Sequence, residues 1–210
     1  MRHFSMASTL RDLLIQRAAR LQDRPALTAP GWGTLSHAQL RNRAEGVALG
    51  LLAAPPPPLV FCATGTPWDW AAELAAAASG LAWDASGQQV APEILGGPAF
   101  NADAGRGAYH AREQTVTGAT IFSGNLTHGE LMARLRRLNT ALGWDHDTRV
   151  ALPLARLGEP ALRAALWSAL YAGGHAVLEA EAPPAPGFLA RLRKAPPPAW
   201  SPEAFLDLWR

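Results

Sequence analysis

Few residues in this chain have the types and spacing that chemistry needs. Asp145-His146-Asp147 sets three metal-ligating groups side by side, but consecutive residues point different ways and no further His or Asp stands at ligand spacing. The run reads as the polar loop ahead of a strand. Cys62 is the only cysteine of 210 residues, which excludes an intrachain disulfide and a cysteine-based zinc site. A thiolate nucleophile needs a neighbouring base, and none is identifiable near it, so Cys62 reads as a small buried hydrophobe. Arg134, Arg136 and Arg137 cluster on one helical stretch, and Arg191, Arg193 and Lys194 add to the positive charge. They suit either a solvated helix face, the reading adopted here, or a surface for an anionic ligand or nucleic acid. The net charge of +2 is too small to imply nucleic acid, which is not expected as a partner. No G-x-S-x-G, H-E-x-x-H or G-x-G-x-x-G is present.

The elements that would position these residues follow from periodicity. Leu10, Leu13, Leu14, Ala18 and Leu21 recur at helical spacing, with Ser8 or Thr9 as N-cap and Asp12 following. Asp23-Arg24-Pro25 breaks that helix. Ala26–Thr28 and Thr34-Leu35 read as strands of a hairpin around the turn Pro30-Gly31-Trp32-Gly33. Ser36 caps a helix from His37 to about Leu52, and the proline run 55–58 is a stiff connector. Leu59–Ala63, the alanine-rich stretch Trp68–Ala78 and Leu81–Trp83 give strand, helix and strand, the order of a parallel α/β unit. Thr115–Phe122 reads as strand, and Thr127 caps a helix over Gly129–Leu142. Arg149–Leu154 is a strand, Glu159–Ala172 a helix and Ala176–Glu179 a strand. Phe188–Leu192 and the stretch after Ser201 read as short helices. Trp167 shares a helix with Leu162, Leu166 and Leu170 and is expected in the core. Trp200 and Trp209 are candidates for a partner surface.

The fold class expected is α/β, a mainly parallel sheet flanked by helices, in a single domain over 1–210. Two lobes, about 1–84 and 113–210, are expected to be joined by an irregular Gly/Ala/Pro-rich segment over 85–112. No apolar run reaches the roughly 18 residues a membrane span needs. The N-terminus carries no apolar segment of the signal-peptide kind. A cytoplasmic, non-membrane protein is expected.

Several strings, in order, resemble the N-terminal domain of the AMP-forming acyl-CoA synthetases, the adenylate-forming ligase family. The opening helix followed by Asp23–Leu27 resembles that family's start. Thr34–Leu40 is similar to "T-x-T-Y-x-E-L". Trp68–Asp84 resembles "E-W-x-x-A-x-x-A-x-x-x-A-G-A-V-Y-V-P-L-D". Gly124–Leu131 looks like the tail of the phosphate-loop motif, "K-G-V-x-x-T-H-x-x-L", which marks Thr127 and His128. Asp147–Leu154 is similar to "G-D-R-V-L-x-x-L-P-L", and Ala172–Leu178 to "L-x-x-G-A-T-V-V-L". The resemblance covers about 9–84 and 115–180.

The resemblance implies a phosphate loop, "T-S-G-T-T-G-x-P-K-G", in which bare backbone, hydroxyls and a lysine hold ATP. The corresponding stretch runs from Thr115 to Gly124. Thr115, Thr117, Gly118, Thr120, Ser123 and Gly124 retain hydroxyls or small size, and Thr117, Thr120 and Ser123 could donate to an anion. Ile121 and Phe122 put bulk where bare backbone is needed. Ser123 stands in place of the lysine, and the chain's single lysine is Lys194. The aromatic–histidine pair that often follows "L-P-L" is replaced by Ala155-Arg156-Leu157-Gly158. His128 reads as a residue closing a helix turn.

The family also has adenine- and ribose-binding parts and a mobile C-terminal domain beyond the stretch that this chain matches. The expectation is therefore a truncated, catalytically degenerate relative: a binding or interaction module for an acyl group, a nucleotide fragment or a protein. No catalytic or metal residue is expected. Two alternatives stand beside it. One is the N-terminal half of a split AMP-forming ligase, for which ATP, Mg and CoA would be the cofactors. The other is a structural homodimer.

Overall fold

The computed structural model describes residues 9–53, 65–79 and 127–180. Helix α1 (Leu10–Leu21) begins at a reciprocal cap. Thr9 Oγ1 accepts the Asp12 N–H at 3.0 Å, and the Asp12 carboxylate accepts the Thr9 N–H at 3.1 Å. Leu10, Leu13, Leu14 and Ala18 form its buried stripe. Strands β1 (Pro25–Ala29) and β2 (Gly33–Ser36) pair antiparallel. The turn between them places Gly31 and Gly33 at φ of +74° and +68°, where a side chain would be strained. Helix α2 (His37–Ala53) follows without a break. Ser36 and Gln39 cap it by exchanging backbone-to-side-chain hydrogen bonds of 2.9 and 3.3 Å.

Helix α3 (Pro67–Ser79) is almost wholly buried, which its alanine-rich sequence permits. Helix α4 (His128–Leu142) repeats the reciprocal cap of α1, now between Thr127 and Glu130, and ends at Gly143 in the left-handed region. Strand β3 (Arg149–Pro153), helix α5 (Pro160–Ala172) and strand β4 (His175–Glu179) make a parallel β–α–β unit. The strand expected over Arg149–Leu154 stops at Pro153, and Leu154–Arg156 forms one turn of 3₁₀ helix. Glu159, expected inside the helix, is its N-cap, because Pro160 takes the first helical position, where no N–H is needed.

One four-stranded sheet results, in the order β2-β1-β4-β3. Among the described strands only the β1–β2 hairpin is antiparallel, so the sheet is mainly parallel and flanked by helices. Leu27 pairs with Ala176 and Thr28 with Val177, which joins the two ends of the described chain. The same core takes Leu27, Leu35, Val150, Leu152, Ala176 and Leu178 from the strands. Trp70, Leu74, Leu131, Leu135, Leu162 and Trp167 join it from the helices. Trp167 is there as expected, at 1% exposure.

The junction from α5 to β4 is close-packed. Gly173 has φ +80°, and a Cβ there would meet Leu21 Cδ1 at 2.6 Å. A Cβ on Gly174 would meet the Thr148 carbonyl at 2.7 Å. The Gly174 N–H donates back to Ala169 O at 2.9 Å and closes the helix end. The expected strands Leu59–Ala63, Leu81–Trp83 and Thr115–Phe122, and the helices after Phe188 and Ser201, lie outside the described residues. No described helix is long and apolar enough to cross a membrane.

Candidate functional site

Of the site residues expected from sequence, Thr127 and His128 fall within the described residues. Thr115, Thr117, Gly118, Thr120, Ser123 and Gly124 lie outside them, as do Cys62, Arg191, Arg193, Lys194, Trp200 and Trp209. Thr127 is committed to its own helix. Its Oγ1 accepts the Glu130 N–H at 3.3 Å, and Glu130 Oε2 accepts both the Thr127 N–H and its hydroxyl, at 2.8 and 2.9 Å. These bonds hold the Glu130 carboxyl below its ordinary range.

His128 is the first residue of α4, and its side chain reaches another element. Nδ1 accepts the N–H of Leu10, the first residue of α1, at 3.2 Å. That N–H is one of the donors a helix start leaves without an intrahelical partner. His128 therefore caps α1 from 118 positions away in the sequence. The proton of the neutral ring must then sit on Nε2, which is buried and has no hydrogen-bond partner among the described residues. Burial lowers the His128 pKa, and the Asp12 charge opposes that shift.

His37 is the mirror case at the start of α2. Its Nε2–H donates to Gly173 O at 3.2 Å, which ties α2 to the α5 end. Burial pushes its pKa down to about 4, the Gly173 bond opposes this, and Arg17, Arg24 and His175 add like charge. His175 shares a 2.8 Å hydrogen bond with Thr28 Oγ1 between adjacent strands. Each of the three histidines joins two elements while neutral.

Asp145-His146-Asp147 forms the polar loop expected from sequence. Asp145 Oδ1 accepts the Asp147 N–H at 2.9 Å and the Thr148 hydroxyl at 3.1 Å, while Asp147 pairs with Arg24. No metal-ligating group of three or more forms among the described residues. On α4, Arg136 and Arg137 are exposed and Arg134 is half-buried.

Two clusters of tryptophan and arginine had no counterpart in the sequence reading. In the first, Glu73 of α3 is fully buried. It accepts a two-pronged pair from Arg163 at 2.8 and 2.9 Å and the Trp167 Nε1–H at 2.9 Å. Trp70 packs edge-on against Trp167, with centroids 4.9 Å apart. A charged residue within the apolar run Trp70–Ala78 was the available signal. In the second, Arg43 lies against Trp32 and Trp68. Trp32 in a turn between two strands was the corresponding sign.

The described geometry has known counterparts. The fatty acyl-adenylate ligase from L. pneumophila, solved with acyl adenylate and pyrophosphate, superposes with a TM-score of 0.56 at 15% identity, over 86% of this chain and 41% of that one. The fold is that of the N-terminal part of the adenylate-forming ligases. The N-terminal domain of FACL13 from Mycobacterium tuberculosis matches with a TM-score of 0.54 at 13% identity, covering 84% of this chain and 58% of that one. The NpsA N-terminal subdomain from Klebsiella oxytoca matches with 0.51 at 17%, covering 88% and 57%. The chain thus spans about half the length of the ligase structures it matches. No family model and no curated relative matches its sequence. At these identities the ligase fold is what is shared.

Proposed function

We propose that this chain is a catalytically degenerate relative of the adenylate-forming ligases that works as a binding or interaction module. The observation that carries the reading is chemical. The stretch corresponding to the phosphate loop, Thr115–Gly124, has no lysine, and the chain's only one is Lys194. A pyrophosphate leaving group needs positive charge fixed close to it, and a serine at position 123 supplies only a hydroxyl. Ile121 and Phe122 interrupt the bare backbone that would otherwise approach the phosphates. The described neighbour of that stretch is spent on structure as well: Thr127 closes its own helix and His128 closes α1. The ligand class this reading favours is an acyl group or a nucleotide fragment, and a protein partner or second copy is the other form a module would take. A cytoplasmic location goes with it.

ATP–pyrophosphate exchange across a panel of carboxylic acids tests the reading. The purified chain is expected to give no exchange above a blank, and robust exchange would overturn it. Thermal-shift titration with ATP, AMP and acyl-CoA, and light scattering for the mass in solution, separate ligand binding from self-association.

A second reading is the N-terminal half of a split AMP-forming ligase. The chain corresponds to 41% of the fatty acyl-adenylate ligase it matches. A split AMP-forming ligase would take its remaining parts, with the sites for ATP, Mg and CoA, from another polypeptide. Its signature is exchange activity that appears only on mixing the two chains.

A further inference from the structure

Several arginine side chains among the described residues have an assigned place. Arg17, Arg24, Arg41, Arg156 and Arg163 donate to named acceptors: the carbonyls of Leu170 and Tyr171, then Asp147, Glu45, Glu159 and Glu73. Arg136 and Arg137 are exposed. Arg43 belongs with neither. It is half-buried on α2, and no protein acceptor receives its N–H groups among the described residues. Its guanidinium carbon lies 4.4 Å from the Trp32 ring centroid and 5.2 Å from that of Trp68. The two indoles meet edge to face with centroids 4.8 Å apart. Neither indole N–H donates to a protein acceptor among the described residues.

Nearby acids are engaged elsewhere. Glu45 takes Arg41 at 2.7 Å, and Asp69 accepts the Gly65 N–H at 3.0 Å. Burial lowers the Arg43 pKa, with no carboxylate to offset the lost water. Ring faces stabilise a cation, but they accept little along the in-plane N–H directions. A planar fork held this way matches a carboxylate or phosphate edge in two-pronged contact. The half-buried indoles offer flat apolar area beside it.

We propose that Arg43, Trp32 and Trp68 form a binding site for a small anion that joins a carboxylate or phosphate to a flat apolar body. Arg43 takes the anionic head in its fork, and the indoles take the body. The site is built by the β1–β2 turn, α2 and the start of α3. It does not depend on whether the chain retains any phosphate-loop chemistry.

The test is calorimetric titration with benzoate, phenyl phosphate, inorganic phosphate and neutral benzamide. The Trp32 and Trp68 indole N–H signals are followed by NMR. Benzoate or phenyl phosphate is expected to bind with a dissociation constant on the order of 1 mM and to move both indole signals. Benzamide and inorganic phosphate should each bind at least ~10-fold more weakly, because each lacks one half of the ligand. The tighter of the two good probes identifies the head group. Arg43→Gln should abolish binding with an unchanged circular dichroism spectrum. Arg43→Lys, which keeps the charge and loses the fork, should weaken it about 10-fold. Lack of binding by both aromatic anions up to ~20 mM would overturn the proposal. So would equal binding of benzamide, or undiminished binding by a folded Arg43 variant.

Discussion

Arginine and tryptophan meet twice in this molecule, with opposite outcomes. At the α3–α5 contact, Arg163 and Trp167 close on Glu73, and every hydrogen-bonding atom of the carboxylate is used. At the α2–α3 contact, Arg43 sits on Trp32 and Trp68 with no carboxylate paired to it among the described residues. The first cluster is buried, with Glu73 and Trp167 at 0% and 1% exposure, and the second is half-buried. The difference lies in electrostatic completeness. A buried carboxylate must be paired, so the first cluster is complete and serves the fold. A guanidinium held by ring faces alone keeps its donors, so the second can serve a ligand.

Removing the centre of the closed cluster should have a large effect. Glu73→Ala leaves the part-buried Arg163 and the buried Trp167 N–H without their acceptor, and about 2–4 kcal/mol of stability should be lost in urea denaturation. The double variant Glu73→Leu with Arg163→Met removes both charges and should recover most of that loss. If the double variant is as unstable as the single one, the carboxylate does more than neutralise Arg163.

The tryptophans give the next contrast. Trp70→Ala opens a cavity against Trp167 at a site that is 2% exposed and should cost about 3–5 kcal/mol. Trp32→Ala removes a ring that water already reaches and should cost about 1 kcal/mol. Equal losses in the two variants would make the Trp32 cluster a second piece of core.

The local half of this architecture was legible in the sequence. Thr9 with Asp12 and Thr127 with Glu130 mark helix starts because a cap acts across three residues. The buried stripe of α1 follows the spacing of its leucines. What failed to show was contact between distant positions. Glu73 and Arg163 are separated by 90 residues, and His128 and Leu10 by 118. Periodicity says which face of an element is apolar but not which element covers it. His128 illustrates the limit. Read as closing its own helix turn, it closes that of α1, because Thr127 and Glu130 already satisfy the α4 start. The candidate phosphate stretch, Thr115–Gly124, was legible as composition alone.

Acid sharpens the comparison further, since the buried framework contains groups that titrate and the open cluster has none in the same range. Unfolded histidine has a pKa near 6.5, and His37 in the folded chain is near 4. His128 and His175 are shifted in the same direction. As pH falls, the unfolded chain therefore takes up protons first. Stability should be complete above about pH 6.5 and decline toward pH 4, by on the order of 2 kcal/mol for His37. Protonated His128 would also turn a second N–H toward the Leu10 N–H it now accepts. His37→Asn should flatten this dependence in urea titrations at several pH values. Arg43→Gln should leave the slope unchanged.

The smallest expected effect is the stability change in Arg43→Gln itself. Its guanidinium makes no ion pair among the described residues, so the loss is limited to ring contact and the packing of its stem. About 0.5–1 kcal/mol is expected, against several for Glu73→Ala. Gln39→Glu refines the measurement. It places a carboxylate one helical turn before Arg43, where position i can reach i+4, and it keeps an oxygen for the Ser36 N–H, so its effect is read as the difference between the wild-type and Arg43→Gln backgrounds. A gain of a few tenths of a kcal/mol in that variant, together with weaker benzoate binding, would show the open cluster accepting from within the chain the partner it otherwise takes from solution. Neither a gain nor any competition would mean that the Arg43 fork points away from both helix and ligand, and the contrast between the two clusters would then reduce to burial.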